Sequence, residues 1–183
     1  MAIIVVGGSG RNVGKTALVC ALIRGLPEFQ WTAVKVSSHD HGKDQPVWEE
    51  TMAGQATDTA RYLAAGAHRA FLVTAAGGVL PLQDFQKKAG PGANLIFESN
   101  SLLTLLKPDL CLGVLGESGG DVKPSFLSFM RQADAFAVRL DSALDPQWAE
   151  SPKPLFRFAA ELEPLSPQML AWVRAKLLPE PHS

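Results

Sequence analysis

Residues 5–16, "VVGGSGRNVGKT", end in a lysine–threonine pair behind a run of glycines. These residue types suit a polyphosphate. Glycines let backbone N–H groups turn toward an anion, a lysine ammonium reaches the β- and γ-phosphates, and a threonine hydroxyl joins the shell of Mg²⁺. The usual Walker A spacing is G-x-x-x-x-G-K-[ST]. Gly14, Lys15 and Thr16 fit it, but the position five before Gly14 is Ser9, and Gly8 lies one residue further upstream. A plain glycine turn is the competing reading. The context favours a phosphate cradle, because an apolar strand is predicted to end at Val6 and an apolar helix to begin near Gly14, aiming a helix N-terminus at the loop. On this reading Gly8, Gly10, Arg11, Asn12, Val13, Gly14, Lys15, Thr16 and Ala17 surround a nucleotide. Lys15 is then catalytic and Thr16 a metal ligand.

Other chemistry-bearing residues lie at the ends of apolar runs. Glu98 closes "ANLIFE" and would reach the loop if its strand neighbours the first one; it holds Mg²⁺ or merely sits near a helix N-terminus. Lys35, inside "AVKVSS", needs a partner if buried; a phosphate or substrate carboxylate would make it catalytic, and a strand-end lysine reaching solvent is the alternative. Asp40 in "SHDHGKD" and Asp58 in "TDTARYLAAGA" are candidate metal ligands near Mg²⁺. His39 and His41 lack further zinc ligands at motif spacing, which leaves a switch loop or a solvated one. Arg61 is placed to pair with Asp58 three residues earlier. The polar loop "ESGGDVKPS" (117–125) either contacts a ligand or simply turns the chain.

Positioning these groups requires a regular frame. Strands are predicted at 2–6, 31–36, 69–75, 93–98, 109–115 and 135–140, with a further short one at 154–158. Several are almost continuously apolar, as in strands buried on both faces of a parallel sheet. Helices are predicted at 15–26, 57–67, 81–89, 101–107, 123–133 and 166–178. Residues 37–56 read as a long polar loop and 141–154 as a Pro-rich connection. The alternation predicts an α/β fold with a mainly parallel central sheet and helices on both faces, organised as one nucleotide-binding domain over 1–183.

Composition is that of an ordinary soluble protein: 183 residues, 46% hydrophobic, 19% charged, formal net charge −1. That balance gives no electrostatic reason to expect nucleic acid or an anionic membrane, and the four tryptophans form no spaced stacking platform. Cys20 and Cys111 lie in apolar runs without nearby ligand partners, so they read as buried thiols in a reducing compartment. With no signal-peptide pattern and no stretch of transmembrane length, the expected location is cytoplasmic.

The five residues between Gly8 and Gly14 resemble the phosphate loop of dethiobiotin synthetase, G-x-x-x-x-x-G-K-T, within the SIMIBI-like branch of P-loop NTPases. The chain also resembles the molybdopterin-guanine dinucleotide biosynthesis protein B (MobB) family. His39 and His41 match the H-x-H part of that family's K-H-x-H segment. Asp58, Thr59, Arg61, Ala65, Gly66 and Ala67 match its G-K-D-[ST]-x-R-x-x-x-A-G-A segment, and Glu98 matches the acid of its V-E-G. Ser99-Asn100 replace the glycine of V-E-G, and "VRLD" keeps only Asp141 of the guanine-reading N-K-x-D. The resemblance implies Mg²⁺ and GTP or ATP as cofactors, with Asp141 near the base, and slow hydrolysis. It also implies an accessory role in molybdenum-cofactor biosynthesis with a partner protein, and a homodimer. Dethiobiotin-synthetase-like activation of a small carboxylate or carbamate is the alternative, which the lysine ending that family's second strand supports at Lys35.

Overall fold

A computed structural model describes residues 1–38, 42, 44–75, 79–117, 122–149, 151–159 and 163–178. Eight described strands form a single sheet: β1 (Ile3–Gly8), β2 (Thr32–Ser37), β3 (Val47–Glu50), β4 (Arg69–Thr74), β5 (Leu95–Glu98), β6 (Leu110–Leu115), β7 (Ala135–Arg139) and β8 (Leu155–Phe158). Their spatial order is β3-β4-β2-β5-β1-β6-β7-β8. Every neighbouring pair is parallel except β3 with β4. The helices are α1 (Lys15–Gly25), α2 (Asp58–Ala64), α3 (Leu82–Ala89), α4 (Pro124–Gln132), the short α5 (Pro146–Ala149) and α6 (Pro167–Leu177). The expected α/β architecture is the one observed.

Strand alternation splits the core into two layers. Ile4, Val6, Ala33 and Ile96 face one way and join side chains of α1, α2 and α6. Val5, Val34 and Phe97 face the other way, toward Phe85 of α3 and the stacked Phe126 and Phe129 of α4. Because side chains on a strand repeat every second residue, Lys35 shares the face of Ala33 and Glu98 that of Ile96. Both charges are thereby aimed at α1 and α2, not at α3 and α4.

The structure corrects two local expectations. Residues 47–50, inside the supposed long loop, form the antiparallel edge strand β3. With two glutamates in four residues the segment lacks an apolar run. It is held instead by ladder bonds and by the Arg69–Glu49 pair (2.7 Å). The predicted helix at 101–107 is only a single 3₁₀ turn, Leu102–Thr104. Pro108 disfavours helical geometry at Lys107, and the Ser99 hydroxyl accepts the amides of Ser101 and Leu102 (both 3.2 Å) in place of a further turn.

Both cysteines are buried, and burial lifts the Cys111 thiol to about 12, with Asp134 adding to the effect and Lys153 opposing it. At pH 8 Cys111 therefore stays a thiol, the unreactive form. Ellman titration should find no rapidly reacting thiol in the folded protein and both after denaturation. Fast labelling of Cys111 in the native state would contradict the burial described.

Candidate functional site

The loop begins where β1 ends, at the centre of the sheet. Gly14 has φ of 102°, a left-handed conformation that glycine adopts without penalty, and its carbonyl accepts the Leu18 amide (2.9 Å) to start α1. Gly8 is required by close approach. A Cβ there would lie 2.7 Å from Cγ of Lys15 and from Cγ2 of Val13. The Lys15 stem folds back over Gly8, and its Nζ donates to the Gly10 carbonyl (3.1 Å). Burial lowers the Lys15 pKa from the usual lysine value; Glu98 and Asp58 oppose this, while Lys35 and Lys123 reinforce it.

Ser9, the residue that breaks the common spacing, is buried and anchors the loop to β6. Its amide donates to the Val114 carbonyl (2.9 Å), its hydroxyl accepts the Gly116 amide (2.8 Å), and its carbonyl accepts the Lys123 amide (2.9 Å). Asn100 fixes the residue before it. The Gly8 amide donates to Oδ1 of Asn100 (2.7 Å), and Nδ2 of Asn100 donates to the Gly8 carbonyl (2.9 Å). A side-chain amide thus continues the ladder where β5 has stopped at Glu98. Asn100→Ala leaves the Gly8 amide without that acceptor. We expect about 1–2 kcal/mol lower stability, read by urea unfolding. Unchanged stability would show that the loop holds its shape without Asn100.

Glu98 lies at the register point between β1 and β2, opposite Val6 on one side and Lys35 on the other. Its side chain is 2% exposed, so the carboxylate needs partners. Lys35 pairs with Oε1, Thr16 donates to Oε2 (2.8 Å), and the Tyr62 hydroxyl donates to Oε2 (2.6 Å). Asp58, first residue of α2, is brought to the same place. Its Oδ2 is 2.8 Å from Lys35 Nζ, its Oδ1 is 3.0 Å from the Thr16 hydroxyl, and Arg61 lies 3.2 Å from Oδ1. The partner of Lys35 is therefore a pair of protein carboxylates. Burial pulls the Lys35 pKa down, but Glu98 and Asp58 outweigh it and the net shift is upward. For Asp58, burial pushes upward and Lys35, Thr16 and Arg61 win, so its pKa falls.

The approach of α2 is organised by Glu50. It accepts the Thr51 and Met52 amides and the hydroxyls of Thr57 and Thr59 (3.1–3.2 Å). Thr57 in turn caps α2 through the Ala60 amide (3.1 Å). An edge strand that sequence reading missed thus delivers Asp58 and Tyr62 to the loop. Tyr62, fully buried and raised in pKa by that burial and by Glu98, was missed as well. The signal available was the chain's single tyrosine lying in the apolar stripe of α2, where a hydroxyl must find a partner.

Two cavities flank the loop. The larger, about 1010 Å³, is lined by Gly14, Lys15, Thr16, Ala17, Lys35, Asp58 and Glu98, among others. The smaller, about 460 Å³, is lined by Ser9, Gly10, Val13, Asp141, Ser142 and Trp148. Arg11, Asn12 and Arg139 border both. Asp141 follows β7, is exposed, and pairs with Arg139 (Nε to Oδ1, 2.8 Å). His39, Asp40 and His41 lie outside the described residues, as do residues 118–121 of the 117–125 loop.

For a hard cation, the Thr16 hydroxyl, Asp58 Oδ1 and Glu98 Oε2 are oxygen donors converging on one point, while Lys35 takes the other oxygen of each carboxylate. This donor set fits Mg²⁺. Among the described residues no group of three His, Cys, Asp or Glu side chains could hold a metal alone, so such an ion would also draw on Thr16 and on ligand oxygens.

No family model matches the chain, and no curated protein does. Among solved structures it is similar to LpxK from Aquifex aeolicus, crystallised in complex with ATP, with 20% sequence identity and a TM-score of 0.49. The match covers 86% of this chain and 53% of that one, so the chain spans about half of LpxK's length. No described helix is long and apolar enough to cross a membrane.

Proposed function

We propose that this chain is a P-loop protein that binds a nucleoside triphosphate over Gly8–Thr16 and catalyses transfer of its terminal phosphoryl group. The observation that carries this reading is the convergence of Lys15, the Thr16 hydroxyl and the carboxylates of Glu98 and Asp58 at the carboxyl ends of β1 and β5. Ligands of open α/β sheets bind at such strand ends. The loop amides and Lys15 bind the β- and γ-phosphates. Thr16, Asp58 and Glu98 would hold Mg²⁺, which when bound neutralises charge on those phosphates. Lys35 orients both carboxylates and stands on the cavity floor, where charge develops on the transferring group. The smaller cavity takes the nucleoside, with Asp141 beside the base.

The sequence offers no residue that announces itself as the group orienting an attacking water, and on this reading the isolated protein hydrolyses its nucleotide slowly. The MobB-like matches favour an accessory role in molybdopterin guanine dinucleotide formation, with nucleotide state read by a partner protein and the chain working as a homodimer in the cytoplasm. The second reading, phosphoryl activation of a small carboxylate or carbamate, draws on the size of the larger cavity and on Lys35 within it. Titrating GTP and ATP with Mg²⁺ by calorimetry tests the shared core and decides the base. Binding of neither sinks the proposal. Turnover that stays low with every small carboxylate tried favours the accessory role.

A further inference from the structure

Beyond the loop, Lys35, Asp58 and Glu98, the larger cavity is lined by Lys123 and Ser125 at the start of α4, Ser101 and Thr104 after β5, and Leu80 and Leu105. Lys123 differs from the other cations of the cavity. Lys35 and Arg61 meet carboxylates, Arg139 meets Asp141, Lys15 donates to the Gly10 carbonyl, and Arg11, which like Lys123 meets no carboxylate among the described residues, is exposed to water. Lys123 is half-buried, yet among the described residues its ammonium has no ion pair or hydrogen bond. A cation withdrawn from water without a counter-charge is costly, and a bound anion would offset that cost. Its charge also reaches Lys15, whose pKa it helps to lower. The Ser125 hydroxyl, which accepts from Nδ2 of Asn100 (3.3 Å), keeps its proton to donate, and Ser101 adds a second hydroxyl, whereas the Thr104 hydroxyl already donates to the Ser101 carbonyl (2.9 Å); Leu80 and Leu105 give the lining an apolar part.

We infer that Lys123, with the hydroxyls of Ser125 and Ser101, forms a second oxyanion subsite, separate from the nucleotide's own phosphates. It takes the carboxylate or phosphate end of a small acceptor whose apolar body rests on Leu80 and Leu105. The inference rests on the nucleotide reading. With the nucleoside in the smaller cavity and its phosphates along the loop, the part of the larger cavity lined by Lys123, Leu80 and Leu105 is left for a second ligand, and the cavity's volume suits a small molecule.

The test uses the full chain saturated with a non-hydrolysable ATP or GTP analogue and Mg²⁺. Inorganic phosphate and butyrate are titrated separately by calorimetry. At least one should bind saturably to the loaded protein, and the stronger arm tells a phosphate from a carboxylate acceptor. Lys123→Ala should weaken that anion at least tenfold while changing analogue affinity less than twofold, and Lys123→Arg should restore it. Saturable binding of neither anion to the loaded protein overturns the subsite. Equal weakening of analogue and anion by Lys123→Ala also overturns it, because Lys123 would then serve the nucleotide's phosphates. Failure of the analogue itself to bind is a different result, which removes the nucleotide reading and this subsite together.

Discussion

Lys15→Ala will lower nucleotide affinity by about a hundredfold and any turnover by roughly 10²–10³, with the fold unchanged. The lysine stem lies over Gly8 and its ammonium already rests on the Gly10 carbonyl, inside the loop that would wrap the phosphates. Removing it deletes the positive charge at the loop's centre without opening a core cavity, since Lys15 belongs to neither apolar cluster. Calorimetry with Mg²⁺-nucleotide reads the affinity, and circular dichroism reads the fold. The pH dependence has a definite sign. Burial makes Lys15 release its proton at a lower pH than an ordinary lysine, and only the ammonium attracts phosphate. Affinity should therefore decline as pH rises through that lowered pKa, with protons taken up on binding in this range. Wild-type affinity in Lys15→Ala would contradict the assignment of the loop.

Glu98→Ala will be the most destabilising change in the site, costing about 3 kcal/mol in urea unfolding. Breaking a buried pair from one side costs 3–5 kcal/mol as a rule, because the remaining charge stays buried without its partner. The lower end applies here because Lys35 keeps Asp58 at 2.8 Å. Tyr62 loses its acceptor in the same variant, so its buried hydroxyl is stranded. Tyr62→Phe removes only the hydrogen bond to the carboxylate and should cost about 2 kcal/mol. Glu98→Gln preserves an acceptor for Tyr62 and Thr16 but not the charge, and should fall between the two. Nucleotide binding by Glu98→Gln should lose its Mg²⁺ dependence before its loop contacts. A Glu98→Ala protein as stable as the parent would mean the cluster contributes nothing net.

Much of the frame was legible in the sequence, for local reasons. β1, β4, β5 and β6 are largely apolar runs buried on both faces, and such runs announce a parallel sheet. The ends of α1, α2 and α6 were marked by Gly14, by Thr57, and by Ser166, whose hydroxyl accepts the Met169 amide (3.2 Å). The Asp58–Arg61 pair follows from helical spacing and was found as expected. β3 was not legible, because an edge strand is held by backbone ladder bonds and a surface ion pair, which need no apolar pattern. The turn at 102–104 was misread because its leucines have helical spacing, whereas a proline and a serine side chain decide the backbone there.

The loop itself was set by neighbours in the chain. Gly8, Gly14, Lys15 and Thr16 act within nine consecutive residues, and glycine's lack of a Cβ is a property of the residue, so sequence alone determined that a strand, a tight loop and a helix meet there. The surroundings of the loop were decided by tertiary structure. Tyr62 meets Glu98 across 36 positions, and Asn100 meets Gly8 across 92. Such contacts depend on strand order, with β5 between β1 and β2, and no local pattern records which strands become neighbours. Sheet register then turned scattered charges into one site. Lys35 and Glu98 stand opposite each other because their strands are parallel and in step, and burial makes each need the other.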